Sequence, residues 1–426
     1  MTVFVFIASL LAAMALGMPL AFSLIVSGVA LMLHLDNFDT QIVSQNLING
    51  ADNFPLMAVP FFMLAGELMN AGGMSRRIVN SALVWVGHFK GGLGYVAVFA
   101  AIIMASLSGS AVADTAALAA VLMPMMRDAG YRMDRSAGLI AAGGIIAPVI
   151  PPSIGFILFG VIGGVSISKL FMAGIFPGIL MGVALLVTWW IVARKDDVKV
   201  TERVPMKEKM RVTVDAFWCY LLAITIIGGM KMGVFTPTEA AVVAVVYALL
   251  VGLFVYREIK FKDLYGIILA AAKTSSVVMF LVAAALVSAW LITIANIPAQ
   301  VVDMLRPFID NPTLLMVMLM LMVLIVGTAL DFAPTVLILT PVLMPLVREA
   351  GINPVYFGVL FIINNAIGLL TPPVGTVLNV VCGVGRIPMH EVIRGVMPFL
   401  ISQVVVMGLL IAFPILVMGP LKWLSS

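Results

Sequence analysis

Charge is scarce in this 426-residue chain: 10% of its residues are Asp, Glu, Lys or Arg, and it holds three histidines and two cysteines. Each scarcity excludes something. So little charge, with a mean hydropathy of +1.18, lies outside the range of soluble globular domains. Three histidines leave little for metal chemistry, and His390-Glu391 lacks the second histidine of a zinc-protease helix. There is no Gly-rich loop ending in Lys-Ser/Thr, which argues against ATP hydrolysis, and no Gly-x-Ser-x-Gly turn for a nucleophilic serine. Cys219 and Cys382 stand far apart in apolar contexts and read as packing residues, so they say nothing of redox compartment. The net charge of +4 is no sign of nucleic-acid binding, because the basic residues cluster in loops, as membrane topology requires.

What the chain has is apolar length. Hydrophobic residues make up 63% of it, and a bilayer crossing needs about 20 consecutive apolar residues. Candidate runs lie at 3–34, 55–70, 93–126, 136–165, 170–193, 216–256, 264–297, 313–347, 355–385 and 391–418. Several exceed one span and several are broken by Gly or Pro, so about ten to fourteen membrane segments are expected. The N-terminus has no basic n-region and too long an apolar stretch for a signal peptide. It reads as a retained first helix kinked at Gly17-Met18-Pro19.

An internal repeat organises the rest. VLMPMMRDAGY at 121–131 returns as VLMPLVREAGI at 342–352, a displacement of 221 residues. The same displacement carries Pro151-Pro152 onto Pro372-Pro373, Gly164 onto Gly385, Gly174 onto Gly395 and Pro177 onto Pro398. Repeats in a very apolar chain are a signature of secondary transporters, which place substrate and ion sites between related halves. The first loop after the motif carries Arg127, Arg132 and Arg135, whereas the second has Arg348 with Glu349. Homologous loops so different in basic content are expected on opposite membrane faces, the first cytoplasmic, which makes the repeat inverted.

The expected organisation is therefore an all-α polytopic membrane protein of two inverted repeats. The first half, 1–193, has a re-entrant hairpin tip near 106–115 (SLSGSAVADT) and a broken helix near 147–155 (APVIPPSIG). The second, 216–426, has a tip near 327–335 (GTALDFAPT) and a break near 368–376 (GLLTPPVGT). Between them, 194–215 reads as a cytoplasmic linker or an interfacial arm helix. Its basic residues are Arg194, Lys195, Lys199, Arg203, Lys207, Lys209 and Arg211, interspersed with Asp196, Asp197, Glu202 and Glu208.

Broken helices expose carbonyl oxygens that suit a hard monovalent cation, and half-helix N-termini favour an anion, so one midplane could hold both. Ser108 and Ser110 with the carbonyls of Ala147, Ile150 and Pro152 form one candidate cation site; Asp331 with Gly368, Thr371 and Pro373 forms the other. Ser153, Asn365, Thr376 and Asn379, polar residues beside the breaks, are candidate substrate contacts. Asn364 and Asn365 precede the second break, where a substrate contact by one of them and packing-level hydrogen bonds are equal alternatives. Ser and Gly in membrane helices also serve close packing, and it is their recurrence in register that favours function. Intramembrane carboxylates are costly. Asp331 reads as an ion-site residue, Asp114 equally as a cap of the returning limb, and Glu239 as a first-turn helix acid. Glu67, in GELMN, and Glu391, near a segment start, are the remaining carboxylates singled out.

The motifs FFMLAGELMNAGGMS (61–75), SGSAVADTAAL (108–118), IIAPVIPPSIGF (145–156), GVFTPTEAA (233–241) and IGLLTPPVGTVLNV (367–380) make the chain resemble, over essentially its whole length, the large membrane subunit of tripartite ATP-independent periplasmic (TRAP) transporters. The resemblance implies a bacterial inner-membrane importer of elevator type driven by Na⁺. It also implies a small four-helix membrane partner and a periplasmic substrate-binding protein that delivers an organic acid. In that family the tip and broken-helix residues form the Na⁺ sites, which correspond here to Ser108, Ser110, Ala147, Ile150 and Pro152, and to the Gly368–Pro373 break with the tip near Asp331. Ala147 stands where many relatives have Gly, a change that a carbonyl contact would survive. The motifs lean toward sialic acid or a sugar-acid carboxylate as substrate. The competing expectations are a binding-protein-independent Na⁺/dicarboxylate carrier, a proton-coupled C4-dicarboxylate permease, and a scaffold or intramembrane enzyme.

Overall fold

The computed structural model describes residues 2–36, 38–194, 203–309 and 311–425, and every regular element among them is helical. The chain opens with α1 (Thr2–Ala15) and α2 (Leu20–His34), which pack against each other as a hairpin. A single kinked helix was the sequence expectation. Gly17 instead takes φ 80°, and Pro19, with no N–H to give, precedes a fresh start, so the kink is a full turn. Next come α3 (Thr40–Ala51), α4 (Ala58–Ala71) and α5 (Met74–Val86). The first tip joins α6 (Gly92–Ser108) to α7 (Ala111–Asp128); α8 (Met133–Gly144), α9 (Ile154–Gly163) and α10 (Ile167–Ala193) follow.

Of the expected linker, 195–202 lies outside the described residues. Beyond it α11 (Met206–Asp215) buries no residue and lies against α5, where Trp85 Nε1 donates to Thr213 Oγ1 at 2.9 Å and Arg77 pairs with Asp215 at 3.1 Å. It meets α12 (Phe217–Lys231) at a 51° bend. Helix α13 (Pro237–Leu250) starts at a capping box in which Thr236 and Glu239 bond reciprocally, the first-turn role expected of Glu239. The 31-residue α14 (Leu264–Ile294) and short α15 (Ile297–Leu305) lead to the second set: α16 (Pro312–Ala329), α17 (Phe332–Glu349), α18 (Pro354–Gly368), α19 (Thr376–Gly385), α20 (Met389–Ala412) and α21 (Ile415–Ser425).

Helices α7 and α17 begin and end 221 residues apart, and α6 and α16 end at the same displacement. Contacts cross between halves in matching fashion: α7 packs on α19, α17 on α9, and α8 on α20. Arg127, near the end of α7, donates to the Gly385 carbonyl at 2.8 Å; its counterpart Arg348 donates to Gly163 O at 2.7 Å. Each return limb thus caps the C-terminus of the post-break helix in the other half, where carbonyls lack helical donors. Fully buried Phe156, Phe159, Phe357, Phe361, Phe399 and Trp189 fill the space between them.

Among the described residues seven helices are long and apolar enough to cross a membrane, eight if α11–α12 counts as one. The higher expectation treated each apolar run as spans. Several resolve into shorter helices such as α9 and α19, ten residues each, which reach about 15 Å, half the hydrocarbon core.

Candidate functional site

Helix α6 ends because Gly109 turns left-handed, with φ +63°. Ser110 then caps α7, its hydroxyl accepting from Ala113 N–H at 3.4 Å. The capping role weighed for Asp114 therefore belongs to Ser110. Asp114 sits in the first turn, where its Oδ1 accepts from Ser108 Oγ at 2.5 Å, and Ser108 Oγ accepts from the Ser110 N–H at 3.2 Å. Asp114 Oδ2 is buried without a partner among the described residues. The tip is thus two hydroxyls, one carboxylate and a backbone turn held in one cluster.

The tip lies on the first break. A Cβ at Gly109 would stand 2.4 Å from Pro152 O and 3.2 Å from Ser153 Cα, so only glycine permits this approach. Around the cis Pro151-Pro152 bond the carbonyls of Ala147, Ile150 and Pro152 accept no hydrogen bond among the described residues. The structure therefore brings Ser108, Ser110 and Pro152 together, with Ala147 and Ile150 buried in the same turn. Ser153 is fully buried and occupied: its hydroxyl caps α9 by accepting from Phe156 N–H and donates to Pro148 O at 2.5 Å.

The second tip is built from other residues. Asp331 takes the place of Ser110 at the start of α17, yet its side chain makes no cap; it accepts from Thr376 Oγ1 at 3.3 Å. Gly368 meets the end of α16 closely, since a Cβ there would lie 2.9 Å from Gly327 O. Its carbonyl is already bonded by the Thr371 N–H at 3.0 Å. Thr371 donates to Ile367 O at 2.8 Å. Asn365 donates to Phe332 O at 2.8 Å while its Oδ1 is buried and unpartnered. Asn364 donates to the Met320 carbonyl, a hydrogen bond of the packing kind. Asn379, exposed, folds back on Val374 O. Whereas 147–153 is buried, Pro373 and Val374 are exposed, and no hydrogen bond joins Asp331 to Thr371 or Pro373 among the described residues. The two breaks share their Pro-Pro pair and differ in neighbouring residues and in setting.

A cavity of about 110 Å³ opens beside the first tip. Ser108, Ser110, Asp114 and Ile154 form one wall; Gly66, Glu67, Asn70 and Ser75 form the second; Ala271 and Thr274 of α14 close it. Nothing in the sequence marks Asn70, Ser75 or Thr274 as site residues, and Glu67 carries no signal there beyond its charge. None of Ser153, Asn365, Thr376 or Asn379 lines this cavity. Glu67 and Asp114 face it with no Lys or Arg among its lining residues, so its field favours a cation. Asp331 borders a separate, mostly apolar cavity between α2 and α14, so one long helix walls the spaces beside both tips.

Helical pairs with tips and breaks make up a helical membrane fold. The solved structure of the YdaH transporter of Alcanivorax borkumensis shares it, with a TM-score of 0.65 at 14% identity over 92% of this chain and 91% of that one. Residues 7–416 match the family of the tripartite ATP-independent periplasmic transporter, DctM component. The chain belongs to that family: it is a large permease subunit of the inner membrane and not an enzyme. It is 56% identical over 425 residues, covering 100% of both chains, to the 2,3-diketo-L-gulonate TRAP transporter large permease protein of Escherichia coli. To the sialic acid TRAP transporter large permease protein of Vibrio cholerae it is 38% identical, over 93% of each. Secondary transport of organic acids is the activity this membership gives.

Proposed function

We propose that this permease imports a keto sugar acid by coupling it to Na⁺, with the first tip and break as a principal Na⁺ site. The observation that carries the reading is the packing of Gly109 on Pro152, which gathers two hydroxyls and unbonded carbonyls beside a cavity holding two carboxylates. Oxygen donors of this kind suit Na⁺. The cavity offers an organic anion no fixed cation, so bound Na⁺ supplies the charge that makes anion binding favourable; this is the physical basis of coupling. The N-terminus of α9 at Ile154 adds a weaker positive end. Asp331 and the Gly368–Pro373 break make the second Na⁺ site once the exposed segment closes. An elevator movement carries tips and breaks past α14.

The substrate class follows the 56% identical relative rather than the more distant sialic acid one, and refines the broader sugar-acid expectation. The partners are a small membrane subunit and a periplasmic binding protein. The test is uptake into proteoliposomes containing the permease and its small subunit, with the binding protein outside. Labelled 2,3-diketo-L-gulonate should accumulate under an inward Na⁺ gradient and not under choline. Accumulation without the binding protein would favour the carrier alternative. A second reading, proton coupling, draws on the buried, unpartnered Oδ2 of Asp114; uptake driven by a pH gradient without Na⁺ would establish it instead.

A further inference from the structure

We infer that the groove between α6 and the end of α10 is a binding site for an anionic phospholipid. Its lining changes character along the helix axes. Along the two helices, Lys90 and Arg194 stand at one end of the groove, Tyr95 and Trp190 follow, and Phe99 and Leu186 lie farthest from that end. Tyr95 and Phe99 are one turn apart on α6, and Leu186 and Trp190 one turn apart on α10. The two helices run oppositely from this end, so the stripes face each other over about 10–13 Å of helix length. A headgroup phosphate, a glycerol backbone and the start of an acyl chain have that order of polarity.

Both cations converge on that end. Lys90 Nζ donates to Arg194 O at 3.4 Å, and the Arg194 guanidinium sits 3.3 Å from the Trp190 ring centroid. Neither has a carboxylate partner among the described residues, and stacking on Trp190 leaves the guanidinium edge able to donate. Their placement at the C-terminus of α10 is favourable to the helix dipole, yet that needs only one cation and no groove. The second observation is the groove itself, of about 600 Å³, with Phe99 and Trp190 39% and 48% exposed inside it. Aromatic side chains beside a basic end are the arrangement that holds a lipid at the interface. The same end carries Arg132 and Arg135, the latter bonded to Val192 O, which by charge places it in the cytoplasmic leaflet. Water leaves the apolar half of the groove unsatisfied; a lipid chain fills it.

The test uses the permease purified with its small subunit in detergent. Phosphatidylglycerol and phosphatidylcholine of matched chains are titrated while thermal unfolding is followed, for wild type, a Lys90→Gln/Arg194→Gln variant and a Lys262→Gln surface control. Phosphatidylglycerol should raise the midpoint saturably in wild type and control, with phosphatidylcholine much weaker. The double variant should bind about tenfold or more weakly. Phosphatidylglycerol with brominated chains should quench wild-type fluorescence more than that of Trp190→Phe. Equal shifts in wild type and double variant overturn the site. A shift reproduced by soluble glycerol phosphate would mean a free-phosphate site, and would overturn the lipid. A lipid effect seen in the isolated permease but lost with the small subunit bound would give the groove to that subunit and overturn it equally.

Discussion

Gly109 is the residue on which the proposed ion site turns. Its positive φ costs an L-residue about 1 kcal/mol, and its missing Cβ lets the tip touch Pro152. Gly130 separates these two effects. It also has positive φ, +82°, but nothing lies within 4 Å of its would-be Cβ. Gly109→Ala is expected to lower Na⁺-dependent uptake tenfold or more with normal membrane insertion, whereas Gly130→Ala keeps most of its uptake. Equal losses in radiolabel uptake would mean that backbone strain alone is responsible. At the second tip, Asp331→Ala removes the acceptor of the Thr376 hydroxyl and should raise the Na⁺ concentration for half-maximal uptake. Unchanged Na⁺ dependence in Asp331→Ala and in Ser108→Ala together would dispose of the site assignment. Ser110 and the Pro-Pro pairs were legible in the sequence because they recur in register, Ser110 on Asp331; Ser108, which falls on Ala329, was legible only as a polar residue at membrane depth beside them. Asn70, Ser75 and Thr274 were not, since each gains meaning only from folding opposite a tip distant in the chain. Ser153 read as a substrate contact, but in sequence a capping serine and a ligand serine look alike.

Among elements, the matching of α7 with α17 was carried by the repeated VLMP motif, and the structure gives them the same displacement at both ends. The break positions were equally visible, because Pro-Pro interrupts a helix whatever surrounds it. Legibility failed at the N-terminus, where Gly-Met-Pro suits a kink or a turn and only the packing of α1 on α2 decides. It failed also for the setting of the two breaks. Only Pro-Pro is common to the two breaks; the buried one has Ser153 to cap α9 where the exposed one has Val374, so the shared dipeptide alone does not fix the setting. The Arg127 and Arg348 contacts tie these elements together, each a charged donor on a helix-end carbonyl. Arg348→Met and Arg127→Met should each lower the thermal midpoint, by about 2 °C, with a nearly additive double variant. A single variant as destabilised as the double would show the two caps to be one coupled unit.

For the whole molecule, the inverted arrangement inferred from loop charge predicts that the ends of α7 and α17 face opposite sides of the membrane. Gly130 and Gly351 have positive φ, so Asp128→Cys and Glu349→Cys, exposed and displaced by 221 residues, are the better reporters. In a background without Cys219 and Cys382, an impermeant thiol reagent added to intact cells should label the second and spare the first. Labelling of both from one side would refute inversion. The central claim, that Na⁺ binds where the first tip meets its break, can be measured without substrate. Thermal unfolding of the permease with its small subunit would be compared in NaCl and matched choline chloride, for wild type and Ser108→Ala. A ligand held only by the folded state stabilises it by RT ln(1 + [L]/Kd), about 1.4 kcal/mol at ten times Kd. The account predicts a saturable rise with Na⁺ in wild type that Ser108→Ala diminishes; the same melting in both salts would contradict it.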